Sequence, residues 1–180
     1  MEPAWSPDGK QIALTLDEHP KTYRGENFTS CGIYVMDADG SGKPRKLATG
    51  PECASTPAWS PEGKKIAYTN GEGVDEEGYG VSNVYVANAP GEENGTDQPR
   101  ALTDYSSGLA ADPDWSPDGT EIAFSYADAT GSPSVYKMDA DGSGETLIAP
   151  SLHLKKLEAA STGKEVTDGK ESPAWSPDGD

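Results

Sequence analysis

Basic residues are scarce in this chain of 180 residues: 14 Lys and Arg stand against 31 Asp and Glu, a formal net charge of −17 at pH 7. With no basic patch to meet phosphates, the sequence argues against nucleic acid as a partner, and it disfavours anionic membrane surfaces. Long apolar runs are missing as well; no stretch of 18 apolar residues occurs, so no transmembrane helix and no membrane insertion is expected. Catalytic material is thin. There is no Gly-x-Ser-x-Gly elbow, no His-Glu-x-x-His, no Cys-x-x-Cys and no glycine-rich phosphate loop opening a helix. The two histidines, His19 and His153, both fall in apparent insertions and read as surface residues. The chain is therefore expected not to be an enzyme. Helical periodicity is absent too. Its nearest approach, Leu152–Ala160, is followed by Thr162-Gly163-Lys164 and reads instead as one arm of an extra hairpin closing on Glu165-Val166-Thr167.

Tryptophan is rare but placed with a rule. All four residues sit in copies of one motif: Trp5-Ser6-Pro7-Asp8-Gly9, Trp59-Ser60-Pro61-Glu62-Gly63, Trp115-Ser116-Pro117-Asp118-Gly119 and Trp175-Ser176-Pro177-Asp178-Gly179. From Trp5 to Trp59, Trp115 and Trp175 the intervals are 54, 56 and 60 residues. Such a period marks a repeat architecture. Within each copy, Pro7, Pro61, Pro117 and Pro177 preset φ at the second turn position. Gly9, Gly63, Gly119 and Gly179 supply the left-handed residue that returns the chain to a strand. The Trp closes one strand and offers a large apolar body. After each complete turn comes an Ile-Ala strand (from Ile12, Ile66 and Ile122), then a Tyr-containing strand (Ile33–Met36, Val84–Ala87, Val135–Met138), then a weaker Arg/Leu strand (Arg45–Leu47, Arg100–Thr103, Thr146–Ile148). Each unit thus reads as four short antiparallel strands, and the fold class is all-β. With 21 Gly and 15 Pro, the low hydrophobic content reflects many turns rather than disorder.

Pro-Ala-Trp-Ser-Pro-Asp-Gly, then Ile-Ala, then Ile-Tyr-Val-Met-Asp-Ala-Asp-Gly-Ser-Gly, then Lys-Leu, resembles the WD40-like (PD40) repeat of the TolB family over nearly the whole chain. The resemblance implies blades of a β-propeller, one per unit, set around a central channel. Blades are expected at 3–56, 57–112 and 113–172, with 173–180 opening a fourth repeat. Departures from the family are insertions at Asp17–Ser30, Gly71–Ser82, Ala89–Gln98 and Leu152–Gly169. The resemblance also implies non-catalytic binding of a protein or envelope component in an extracytoplasmic setting. Similar propellers occur as accessory domains of prolyl-oligopeptidase-type serine peptidases and of carbohydrate-active enzymes, which is the alternative role.

Three further expectations follow. If Asp37–Pro44 is a hairpin turn with Met36 opposite Leu47, Cys31 and Cys53 fall nearly opposite, and a disulfide would clamp that hairpin in an oxidising compartment. The segments Asp37-Ala38-Asp39-Gly40-Ser41-Gly42 and Asp139-Ala140-Asp141-Gly142-Ser143-Gly144 match the first half of a Ca²⁺ loop, yet the twelfth position is Ala48 or Pro150. Hairpin turns want the same residues, and the acidic loop Glu72–Glu77 likewise reads as solvated or as metal-binding. Finally, three units plus one Trp strand do not close a ring. The chain, which opens inside a repeat, is expected to be a segment of a longer propeller or to complete a six-bladed ring with a second copy of itself.

Overall fold

The computed structural model describes residues 3–23, 26–50, 52–91, 98–129 and 131–150, together with Pro173 and Trp175; for 18–23 and 26–30 it describes the backbone alone. Twelve strands and no helix occur among them. The first sheet contains β1 (Ala4–Trp5), β2 (Gln11–Tyr23), β3 (Glu26–Asp37) and β4 (Arg45–Thr49) in that order. The same antiparallel succession recurs as β5 (Ala54–Trp59), β6 (Lys65–Val74), β7 (Gly80–Asn88) and β8 (Arg100–Ala101). It recurs again as β9 (Leu109–Trp115), β10 (Glu121–Ala127), β11 (Pro133–Asp139) and β12 (Thr146–Ala149). These are three four-stranded blades, and the all-β propeller architecture is that of the sequence expectation.

The motif turns form as their chemistry requires. Gly9, Gly63 and Gly119 have φ of 69°, 73° and 73°, and their N–H groups donate to the carbonyls of Ser6, Ser60 and Ser116 at 2.9, 2.8 and 2.9 Å. Each Ser hydroxyl also accepts the N–H of the first residue of the returning strand, Gln11, Lys65 or Glu121, at 2.9, 3.0 and 2.9 Å. Ser6 and Ser116 donate onward to Asp8 and Asp118 at 2.7 Å. The serine is therefore buried and integral to the turn, a role its place in the motif did not announce. The N–H of Thr120 and the Ser116 hydroxyl hold the Asp118 carboxyl down at about 2.

Blades pack face to face. Ala13 and Val35, with Leu47, meet Trp59, Ile66 and Ala89 of the second blade, while Ile33 and Ala48 meet Ala54, Tyr68 and Ala87. The second blade turns Ala67, Val84, Val86 and Leu102 onto Trp115, Ile122, Phe124 and Met138 of the third. A directional contact repeats along the innermost strands. The Trp59 indole N–H donates to the Ala4 carbonyl at 3.1 Å, and Trp115 to the Ala58 carbonyl at 3.2 Å. Trp175 donates to the Asp114 carbonyl at 3.2 Å. Each acceptor is the residue just before the preceding Trp, so the indoles of Trp59, Trp115 and Trp175 form a ladder in which each reads the motif before it.

Several expectations are corrected. The β3–β4 ladder pairs Ile33 with Ala48 and Tyr34 with Lys46 across a register shift, so Met36 does not oppose Leu47. The insertions at Asp17–Ser30 and Gly71–Ser82 take the form of hairpin extensions: β2 and β3 stay paired out to Tyr23 and Glu26, and β6 and β7 out to Val74 and Gly80. The first strands of the second and third units, β5 and β9, begin at Ala54 and Leu109, and β9 bridges β7 at Ser82–Leu109 within one eight-stranded sheet. The extra hairpin at Leu152–Thr167, His153, Pro177 and Gly179 lie outside the described residues, as does the side chain of His19.

Trp115 is 5 % exposed and Trp5 59 %. Trp115→Ala is expected to cost about 3–5 kcal/mol, whereas Trp5→Ala costs under about 1 kcal/mol in the monomer, both measured by urea unfolding. Since the folded-state value of Asp118, about 2, lies below the ordinary 3.8, its contribution is present above about pH 4 and is lost as pH falls toward 2. Asp118→Asn should accordingly flatten the fall in melting temperature across that acid range.

Candidate binding surface

At each junction between blades the third strand of one meets the entry to the first strand of the next. Aligning Ile33-Tyr34-Val35 with Val84-Tyr85-Val86, and Trp59 with Trp115, places Cys31 at the position of Ser82 and Cys53 at that of Leu109. The backbone repeats with them. Cys31 N–H donates to the Glu52 carbonyl at 3.3 Å and Ser82 N–H to the Gly108 carbonyl at 3.2 Å. Parallel bridges pair Cys31 with Cys53 and Ser82 with Leu109. In the second junction the Ser82 hydroxyl donates to the Ala110 carbonyl at 2.9 Å. In the first, Cys31 and Cys53 are joined by a disulfide across a Cα–Cα distance of 4.4 Å. The crosslink therefore ties blade to blade instead of clamping the β3–β4 hairpin. The hairpin placement fails because Cys53 lies beyond the end of β4, where the chain has already turned parallel to β3.

Beside these junctions the inner strands carry two non-glycine residues in left-handed backbone, Thr56 with φ 48° and Asp112 with φ 53°. They are equivalent positions, and each coincides with a register shift in its strand. A β-branched residue is strained in this conformation. Local bonds hold it. Thr56 and Thr69 share a 2.6 Å hydroxyl–hydroxyl hydrogen bond, and the Asp112 N–H donates to the Thr69 hydroxyl at 3.1 Å.

A polar network runs on from there. Asn83, 1 % exposed, accepts from the Thr103 hydroxyl at 2.7 Å and from the Tyr105 N–H at 2.8 Å. Its amide donates to the Tyr105 carbonyl at 3.0 Å and to Glu72 at 3.1 Å. Glu72 also accepts from the Tyr85 hydroxyl at 2.6 Å. Burial, with the Glu72 carboxylate beside it, pushes the Tyr85 phenol up to about 12. Tyr105, stacked on Tyr126 with ring centroids 4.2 Å apart, is raised as well, by burial and by its hydrogen bond to Glu145. These groups are hydrogen-bonded to one another. The network escaped the sequence reading; its one visible signal is Ser82-Asn83 in an otherwise apolar strand.

The two Asp-Ala-Asp-Gly-Ser-Gly segments are turns whose oxygens face their own loops. Asp39 accepts the Ser41 N–H at 2.8 Å. Asp141 accepts the Ser143 N–H at 2.8 Å and hydroxyl at 2.6 Å, and Asp139 accepts that hydroxyl at 3.1 Å. Asp37 accepts the Gly40 N–H through its backbone carbonyl. In the acidic loop, Asp75 accepts the N–H groups of Glu77 and Tyr79. Among the described residues no three His, Cys, Asp or Glu side chains gather to hold a metal ion.

The sequence matches no family model. It is 33 % identical over 95 residues to the Tol-Pal system protein TolB of Alcanivorax borkumensis, covering 53 % of this chain and 19 % of that protein. It is 34 % identical over 79 residues to an uncharacterized peptidase, YuxL, of Bacillus subtilis, covering 42 % of this chain and 11 % of that protein. The crystal structure of TolB from Acinetobacter baumannii superposes on 98 % of this chain and 35 % of its own, with a TM-score of 0.59 at 21 % identity. The matched region is thus a minor part of each relative.

Replacing Cys31 by Ser and Cys53 by Leu rebuilds the first junction in the image of the second. This double variant is expected to fold with an unchanged circular dichroism spectrum and to lose about 2–4 kcal/mol in urea unfolding, the loss typical of removing a crosslink. In fold, the described residues form β-propeller blades similar to those of TolB.

Proposed function

We propose that these blades form a non-catalytic binding scaffold that presents the inner-strand edge and its hairpins to a protein or envelope-component partner outside the cytoplasm. One observation carries this reading: the polar groups that sequence inspection offers for chemistry are used to hold turns and blade junctions. The similarity of nearly the whole chain to part of TolB supports it, and the Cys31–Cys53 disulfide supports an oxidising compartment. The charge of −17 favours a partner with a basic contact surface and association that weakens with added salt.

The second reading is that of an accessory propeller belonging to a peptidase; the resemblance to YuxL favours it. To test the scaffold role, the chain is immobilised and challenged with a displayed peptide library at low and high salt. Enrichment of basic peptides that bind in the micromolar range, remain uncleaved and are released by salt is the expected result; hydrolysis of the recovered peptides would overturn it. In native extract, a serine-reactive fluorophosphonate labels a polypeptide containing these blades only under the second reading.

A further inference from the structure

The second blade has a neighbour on each side within this chain, so what it leaves exposed is not an end face. Its β6–β7 hairpin is longer than the β10–β11 hairpin of the third blade. Aligning Ile66 with Ile122 sets Gly71 at Ala127, where β10 makes its last pair with β11, at Pro133; β6 and β7 continue to Val74 and Gly80. None of residues 72–80 belongs to the core between blades. Instead the extension presents apolar groups to solvent. Val74 is 65 % exposed and Tyr79 57 %, and Leu109, which meets the hairpin from the third blade, is 46 % exposed.

These side chains have a defined arrangement. In the sheet β7 runs between β6 and β9. Val74 pairs with Gly80 across the hairpin, and a methyl group on Gly80 would lie 3.5 Å from Leu109 Cδ2. Val74 and Leu109 therefore flank a strand position that has no side chain, which leaves an apolar notch floored by the Gly80 backbone, with Tyr79 beside it. The turn at its end is ordered. The Asp75 carboxylate accepts the N–H groups of Glu77 and Tyr79 at 3.1 and 2.8 Å, and the Asp75 N–H donates to the Tyr79 carbonyl at 2.8 Å. With Asp75 occupied by backbone, Glu76 and Glu77 are the exposed carboxylates on the rim. Between Lys65 and Lys137 the only basic residue is Arg100, and it donates to the Asp141 carbonyl at 2.8 Å.

We propose that this notch docks one apolar side chain of a basic protein segment, whose flanking Lys or Arg residues meet Glu76 and Glu77. The apolar group is buried over Gly80, between Val74 and Leu109 and against the Tyr79 ring. The rim carboxylates supply attraction and orientation more than affinity. Because the turn is already held by Asp75, little of the hairpin has to be ordered on binding. The inference rests on the scaffold reading and deepens it, by narrowing the contact to this hairpin.

The test is a nuclear magnetic resonance titration of the isotope-labelled full chain with the capped peptide Lys-Lys-Leu-Lys-Lys. Amide shifts centred on Val74, Tyr79, Gly80 and Leu109, weakened by added salt and absent with Glu-Glu-Leu-Glu-Glu, are expected. Gly80→Val fills the notch with a side chain suited to a strand and should weaken binding at least about tenfold, as should Tyr79→Ala. Glu76→Gln with Glu77→Gln should flatten the salt dependence, whereas Glu62→Gln, in the motif turn at the other end of β6, should leave it unchanged. Each variant is checked for an unchanged circular dichroism spectrum. Shifts that cluster elsewhere, or an affinity indifferent to Gly80→Val and Tyr79→Ala, overturn the inference and leave the scaffold role standing. The absence of binding at millimolar peptide overturns the inference as well, and cleavage of the peptide overturns both.

Discussion

The hydrogen bond from the indoles of Trp59, Trp115 and Trp175 to the backbone carbonyl before the previous Trp is the contact on which the arrangement of blades depends. Apolar packing between sheets is strong but slides easily, because one β-branched surface fits another in several registers. The indole bond removes that freedom. It is directional, it is shielded by the ring that makes it, and failure to form it would bury an unsatisfied donor. Since the acceptor is a main-chain carbonyl, its position follows the backbone and not the side chain; Ala4, Ala58 and Asp114 serve equally well.

Beneath this ladder each blade is secured by its own turn. Pro and Gly give the chain its reversal, and the buried Ser clamps both ends, accepting the first strand N–H and, in two copies, donating to Asp. Further out, the junctions solve one geometric problem in two ways: a Ser hydroxyl on a carbonyl at the second, a covalent crosslink at the first. Cys31 and Cys53 stand where the second junction has Ser82 and Leu109, so the disulfide crosslinks a joint that also closes through a backbone bond.

Much of the fold was legible in the residues. The four-strand unit, its turn and the left-handed glycines follow from Pro, Gly and β-branched periodicity, all of them local effects. What could not be read were relations that pair distant residues. The register of β3 with β4 departs by a bulge, so extrapolating the pairing as far as Cys53 misplaced the crosslink. The insertions at Asp17–Ser30 and Gly71–Ser82 are extended hairpins because both arms continue to pair, which a compositional break does not reveal. Nor was the Asn83 network visible, since its partners Thr103, Tyr105 and Glu72 come from both sides of it along the chain.

By itself, then, the sequence determined the number and type of blades, the turn between their first two strands and the absence of any recognisable catalytic motif, because each rests on residues a few positions apart. The tertiary structure alone decided which carbonyls the indoles of Trp59, Trp115 and Trp175 meet, that the two cysteines join neighbouring blades and that Thr56 and Asp112 take left-handed backbone. It also decided that Trp5, identical in its motif to Trp175, is left exposed while Trp175 is seated. Local stereochemistry makes the blade, but burial depends on having a neighbour, and only the assembled molecule shows which faces have one.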